Sequence, residues 1–168
     1  MNNNIIIPLL QKELEMESAI TRKMLKAVPD DRWDWKPHPK SMSLNDLTVH
    51  LAELPSWVSM ALNTDGIDFA TMDYTPKRIK DTADLMSIFE KALTDGKATL
   101  EKAQDADLQP SWTLRTGDTV HSVMTKYETI RHAYSQTIHH RAQLGVYLRL
   151  MDIPIPGSYG PSADDKAF

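Results

Sequence analysis

Residues 131–165, RHAYSQTIHHRAQLGVYLRLMDIPIPGSYGPSADD, carry a long helical repeat with a histidine in the middle of its apolar face. With about 100° of rotation per residue and His140 set at zero, Ala133, Thr137, Leu144, Tyr147, Leu148 and Met151 fall within about 80° of it. That is the stripe a surface helix turns toward a core. Gln136 and Gln143 flank it. An imidazole and an amide among apolar residues must find partners or lose roughly 1–3 kcal/mol for each unsatisfied group. A metal ion, a substrate and an internal hydrogen bond are all open as that partner. The helix is expected over 120–151. After Met151, three prolines and two glycines in DIPIPGSYGP impose an extended tail, 152–168.

Three further helical patterns precede it. The first spans 5–27, with Ile6, Leu9, Met16, Ile20, Met24 and Ala27 on or near one face, and Pro29 ends it. The second, near 43–63, opens at Ser43, an N-cap residue with Asp46 three positions on. Its stripe is Leu47, His50, Leu54 and Trp57, and Pro55 inside it predicts a kink just after His50. The third, near 83–104, buries Leu85, Phe89, Ala92, Gly96, Leu100 and Ala103. Between them, PDDRWDWKPHPKSM (29–42) cannot be continuous helix. In SWTLRTGD, Trp112 and Leu114 alternate before Gly117, which allows a short extended piece. There is no internal repeat. Four amphipathic helices in one chain predict an all-α bundle, a single domain over 1–168.

The composition narrows the function classes. A net charge of −4 and no dense basic cluster argue against nucleic acid as a partner. The chain has no cysteine, which excludes disulfides, thiolate zinc sites and a cysteine nucleophile, so thiol chemistry would need a thiol from outside. The apolar start is too short and lacks the basic residues of a signal peptide, and no run approaches the roughly 20 apolar residues that span a bilayer. A cytoplasmic protein with no membrane partner is expected.

His50 and His140 sit on inward stripes of different helices, the arrangement from which bundle cores build metal sites. Neutral imidazole suits zinc, nickel, copper and iron. Gln136 lies one turn before His140 and can reach the same point. His132 is about 12 Å along the axis from His140, too far to share an ion. His139, about 100° round the helix, reads as a flanking residue, and His38 and His121 as loop or cap residues. Glu53, three residues after His50, could act as a base, orient a ligand or simply face water. Trp33, Trp35 and Trp57 could line a substrate pocket or pack beside the core.

The segment HHRAQLGVYLRLMDIPIPGSYGPSADD is similar to the C-terminal signature of the DinB/YfiT-like family, a histidine-arginine-x-glutamine step followed by a tyrosine-leucine-arginine run. PHPKSMSLNDLTVHLAELPSW resembles that family's second-helix signature. The resemblance implies an up-down-down-up four-helix bundle, often dimeric, with a divalent metal on three histidines. One comes from the second helix and two, four residues apart, from the last. Carried over, these are His50, His140 and position 136, which here is Gln136. It also implies a metal-dependent thiol S-transferase or hydrolase acting on a small molecule, with zinc or nickel and an external low-molecular-weight thiol as cofactors. The alternative is a non-catalytic dimeric bundle, with a degenerate metal site, that serves to bind a small molecule or as an interaction module. Val146 and Leu150, off the central stripe, would form part of a homodimer face.

Overall fold

A computed structural model describes residues 4–75 and 77–166. The remaining residues of the expected 1–168 domain lie outside that description. In chain order the elements are α1 (Ile6–Lys26), α2 (Leu44–Glu53), α3 (Ser56–Asn63), β1 (Gly66–Asp68), α4 (Thr82–Lys102), a 3-10 turn (Asp105–Leu108), β2 (Ser111–Thr116), β3 (Thr119–Thr125) and α5 (Lys126–Leu150). The all-α, up-down-down-up four-helix bundle is therefore not the fold of this chain. Its described residues form five helices and a three-stranded mixed sheet, with β1 parallel to β2 and β2 antiparallel to β3.

Two local causes explain the difference. Pro55 cannot donate a backbone hydrogen bond, and the second helix breaks at Leu54–Pro55, four residues beyond the expected kink. The alternation noticed at Trp112 and Leu114 continues past the turn at Gly117 (φ 55°), so residues 119–125 pair as a strand. The last helix starts at Lys126, not at 120, and Thr125 caps it with a box in which Glu128 closes back on the cap.

The core lies between the helices, where α4 and α5 each pack on α1, α2 and α3. Leu10 meets Tyr134, Glu17 meets Arg141 and Gly145 lies against Met24, so α1 and α5 run side by side in the same direction. The inward stripes of α4 and α5 contain the residues expected from the sequence, apart from Ala103, which is half-buried; α4 adds Leu93, and α5 adds Ile130, Tyr134 and Arg141. The stripe of α1 is not. Leu9 and Met16 face out, each more than half exposed, and the buried face is Ile7, Leu10, Leu14, Glu17, Ser18, Thr21, Met24 and Leu25. A surplus of apolar residues outside and three polar residues inside turned the sequence reading by about one position, roughly 100°.

Two of those buried polar residues, Glu17 and Thr21, share a partner. The Arg141 guanidinium is 2.7 Å from the Glu17 carboxylate and donates to the Glu17 carbonyl and the Thr21 hydroxyl, each at 3.1 Å. It also donates to the Tyr159 hydroxyl at 2.6 Å, which itself donates to Glu17. Tyr159 thereby ties the tail to α1 and α5. At the other end of α1, no residue of its own caps it. The Asp105 carboxylate accepts instead from the backbone N–H groups of Ile5, Ile6 and Ile7. This satisfies donors that every helix start leaves open and places negative charge at the positive end of the helix dipole.

Candidate functional site

Each element that holds the site has a local reason for its position. Ser43 accepts from the Asp46 N–H at 3.1 Å, and the carbonyls of Trp35 and Trp33 accept from Leu44 and Asn45. Three of the first donors of α2 are thus satisfied, and that helix delivers His50 from its last turn. α5 delivers His140. The two imidazoles meet edge to face, with ring centroids 4.6 Å apart and planes at 88°. The convergence expected from the two stripes is present.

Both rings are half-buried, and burial lowers the pKa of each below the ordinary histidine value. For His50 the neighbouring His140 adds to the lowering and Glu53 opposes it. For His140 the hydrogen bond to Gln143 opposes and His139 adds. At neutral pH the pair is uncharged, the state in which imidazole can ligate a metal or accept a proton. The His140 Nδ1 atom lies 2.9 Å from the Gln143 Oε1. The ring nitrogens of His50 have no hydrogen-bond partner among the described residues.

Gln136 does not join them. Its amide nitrogen lies 3.4 Å from the His132 Nε2, back along its own helix. His139 is exposed, with its ring 4.9 Å from that of His140. Among the described residues no three histidine, cysteine, aspartate or glutamate side chains are grouped to hold an ion. A catalytic zinc centre ordinarily has three protein donors and an open position. As arranged here, two imidazoles fit such a centre and the third position does not.

His50 also borders a cleft of about 740 Å³, within the usual range of small-molecule sites. Trp57 and Met60 of α3 form one wall, Ile88 and Ala92 of α4 another, and Ile67, Phe69 and Met72 the outer side. The sheet builds that outer side. Asp68 at the end of β1 accepts from the N–H groups of Ala70 and Gly117, each at 2.9 Å, and pairs with Arg115 at 3.2 Å. The Phe69 N–H donates to the Arg115 carbonyl and Met72 to that of Asp68. At the mouth, the Glu53 carboxylate lies 3.0 Å from the Lys77 ammonium and accepts from the Tyr74 hydroxyl at 3.1 Å. Burial, reinforced by Glu53, pushes Tyr74 up to about 12. A second depression of about 650 Å³, bordered by Ser59, Thr99, Lys102 and Lys126, shares Asp95 with the cleft and reaches neither histidine.

Of the three tryptophans considered for a substrate pocket, Trp57 lines the cleft. Trp33 and Trp35 pack against the core instead, Trp35 edge to face on Tyr147 at 5.4 Å. The cleft's outer wall escaped the sequence reading because Ile67, Phe69 and Met72 lie in a short strand and loop with no regular period. His121 sits on β3 beside Thr116, and His38 stays in the loop before α2, away from the pair.

No curated protein sequence matches the chain. Among solved structures, a DinB-like protein from Bacillus cereus ATCC 10987 superposes with a TM-score of 0.72 at 19% identity, covering 95% of this chain and 100% of that one. A DinB-like protein from Bacillus subtilis gives 0.66 at 18% identity, covering 86% of this chain and 92% of that one. At such identities the likeness speaks for the fold alone. The model of the DinB family, however, matches residues 1–167, and the chain belongs to that family.

Proposed function

We propose that this DinB-family protein binds a small organic molecule in the cleft bordered by Trp57, Met60 and Met72, with His50 as the group that exchanges a hydrogen bond or proton with it. One observation carries the reading: His50 belongs both to the imidazole pair and to the cleft wall. A neutral imidazole with unpartnered nitrogens beside an apolar cavity is placed to act on whatever fills it. His140, whose ring meets that of His50 edge to face, is itself held by Gln143. A fragment screen on protein with labelled methionine methyl groups tests this. Hits should shift Met60, Met72 and the His50 ring protons together, and a screen whose hits leave all three unmoved would refute it.

A second reading, with a divalent metal such as zinc or nickel on His50 and His140, is supported by their convergence and by their uncharged state. His50 and His140 would hold such an ion, and it would supply a lowered pKa for a bound thiol or water, the chemistry behind thiol S-transfer or hydrolysis. Gln136 weighs against it, because its amide lies against His132 and supplies no third donor. Metal analysis of tag-free protein separates the two readings: stoichiometric zinc or nickel supports the second, and metal-free protein the first.

We propose a homodimer as the assembly. Leu9 and Met16 of α1 and Val146 and Leu150 of α5 are large apolar residues left more than half exposed. Light scattering should give twice the chain mass of 19.1 kDa. No helix among the described residues is long and apolar enough to cross a membrane.

A further inference from the structure

The charges that border the cleft are arranged in pairs. Glu53 is held by Lys77 at 3.0 Å and by the Tyr74 hydroxyl. Lys91 and Asp95, one turn apart on α4, are 2.7 Å from each other. Among the described residues, no formal charge on the wall is left over for a ligand to neutralise. Between the pairs the wall is apolar and partly aromatic, with Trp57, Phe69, Met60, Met72, Ile67 and Ile88. An ionic ligand entering this space would lose water and find each candidate counter-ion already engaged. It would have to draw Lys77, itself more than half exposed, away from Glu53, whose side chain is only 20% exposed, and leave that carboxylate without its cation. An uncharged ligand avoids that cost and gains from burying its apolar area against the ring faces and thioethers.

We infer that the cleft takes an uncharged, largely apolar or aromatic molecule carrying one hydrogen-bonding group, a carbonyl or hydroxyl, turned toward His50. This rests on the cleft being the ligand site and adds the chemical class of its occupant. Selectivity against ions comes from the Glu53–Lys77 pair, while Lys91 and Asp95, both more than half exposed, add little to it. Lys77 is the specificity-determining residue, because removing it would leave the Glu53 carboxylate facing the cleft as a lone negative charge.

Three fluorescent probes with one ring system and different charge test the inference on the intact protein: dansylamide (neutral), dansylglycine (anionic) and dansylcadaverine (cationic). Dansylamide should bind at least tenfold tighter than either charged probe and shift the Met60 and Met72 methyl signals. In Lys77→Met, dansylcadaverine should gain at least fivefold relative to dansylamide. Lys77→Gln serves as the second variant if the first loses its helical spectrum. If no probe moves the two methyl signals, the cleft is not a ligand site and both the inference and the reading beneath it fall. If a charged probe moves them with equal or better affinity, the neutral class is wrong while the cleft stands. An unchanged ranking in both Lys77 variants would overturn the argument from paired charges.

Discussion

Replacing Arg141 by methionine probes how strongly the tail and α1 are held to the helix that carries His140. Arg141 is 3% exposed, and its guanidinium serves the Glu17 carboxylate, the Glu17 carbonyl, Thr21 and Tyr159 at once. Methionine fills much of the same volume, so the loss is electrostatic: Glu17, itself 7% exposed, stays buried without its cation. Removing one member of a buried ion pair costs about 3–5 kcal/mol, against about 0–1 for a pair at the surface. With a slope of about 1–3 kcal/mol per molar urea, the unfolding midpoint should fall by on the order of 2 M. The double variant Glu17→Leu, Arg141→Met removes both charges and should recover most of that loss, since apolar replacements of a buried pair are often neutral or better. The assay is urea unfolding of the wild type, both single variants and the double variant, followed by helical signal. A cost under about 1 kcal/mol for Arg141→Met, or a double variant no better than the worse single one, would refute a buried, energetically coupled pair.

Three further outcomes are expected. Gln136→His, by offering a third imidazole one turn before His140, should raise zinc affinity at least tenfold, about 1.4 kcal/mol, in a competition titration; equal affinities would count against any metal role for this constellation. Because burial lowers the pKa of His50 and His140 below 6.5, stability should be complete above pH 6.5 and decline as pH falls from there toward the depressed folded values, since the unfolded chain takes up protons first. His50→Gln should flatten that decline in urea midpoints measured at pH 7.5 and 5.5, and an unchanged slope would contradict the assignment. Gly96→Ala would ordinarily gain roughly 1 kcal/mol of helix propensity, but the added methyl would stand 2.8 Å from the Pro55 carbonyl oxygen at the crossing of α3 and α4. The melting temperature should therefore drop, and a rise would show that the two helices can separate at little cost.

The parts of this molecule that were legible in its sequence are those where apolar residues recur with one period and no competing pattern. The Leu85–Leu100 and Ala133–Met151 stripes predicted buried faces that the fold contains, and with them the meeting of His50 and His140. α1 was misread because Leu9 and Met16 are apolar and outside while Glu17 and Thr21 are polar and inside; the Arg141 that makes this possible lies over a hundred residues away. Strand β1 has three residues, Gly66, Ile67 and Asp68, too few to carry an alternation, yet it sets the outer wall of the cleft. The direction of the Gln136 amide was equally hidden, since helical spacing permits both His132 and His140 as neighbours.

The remote cap on α1 has a consequence for how the chain is made. Ile6 and Asp105 are 99 residues apart, so the donors at the start of the first helix have no carboxylate to meet until more than half of the chain has been synthesised. At about 5–20 residues per second, that leaves the helix start uncapped for roughly 5–20 s of translation. During this interval the apolar start of α1 is an open end exposed to whatever holds nascent chains, and the arrival of Asp105 is the event that closes it.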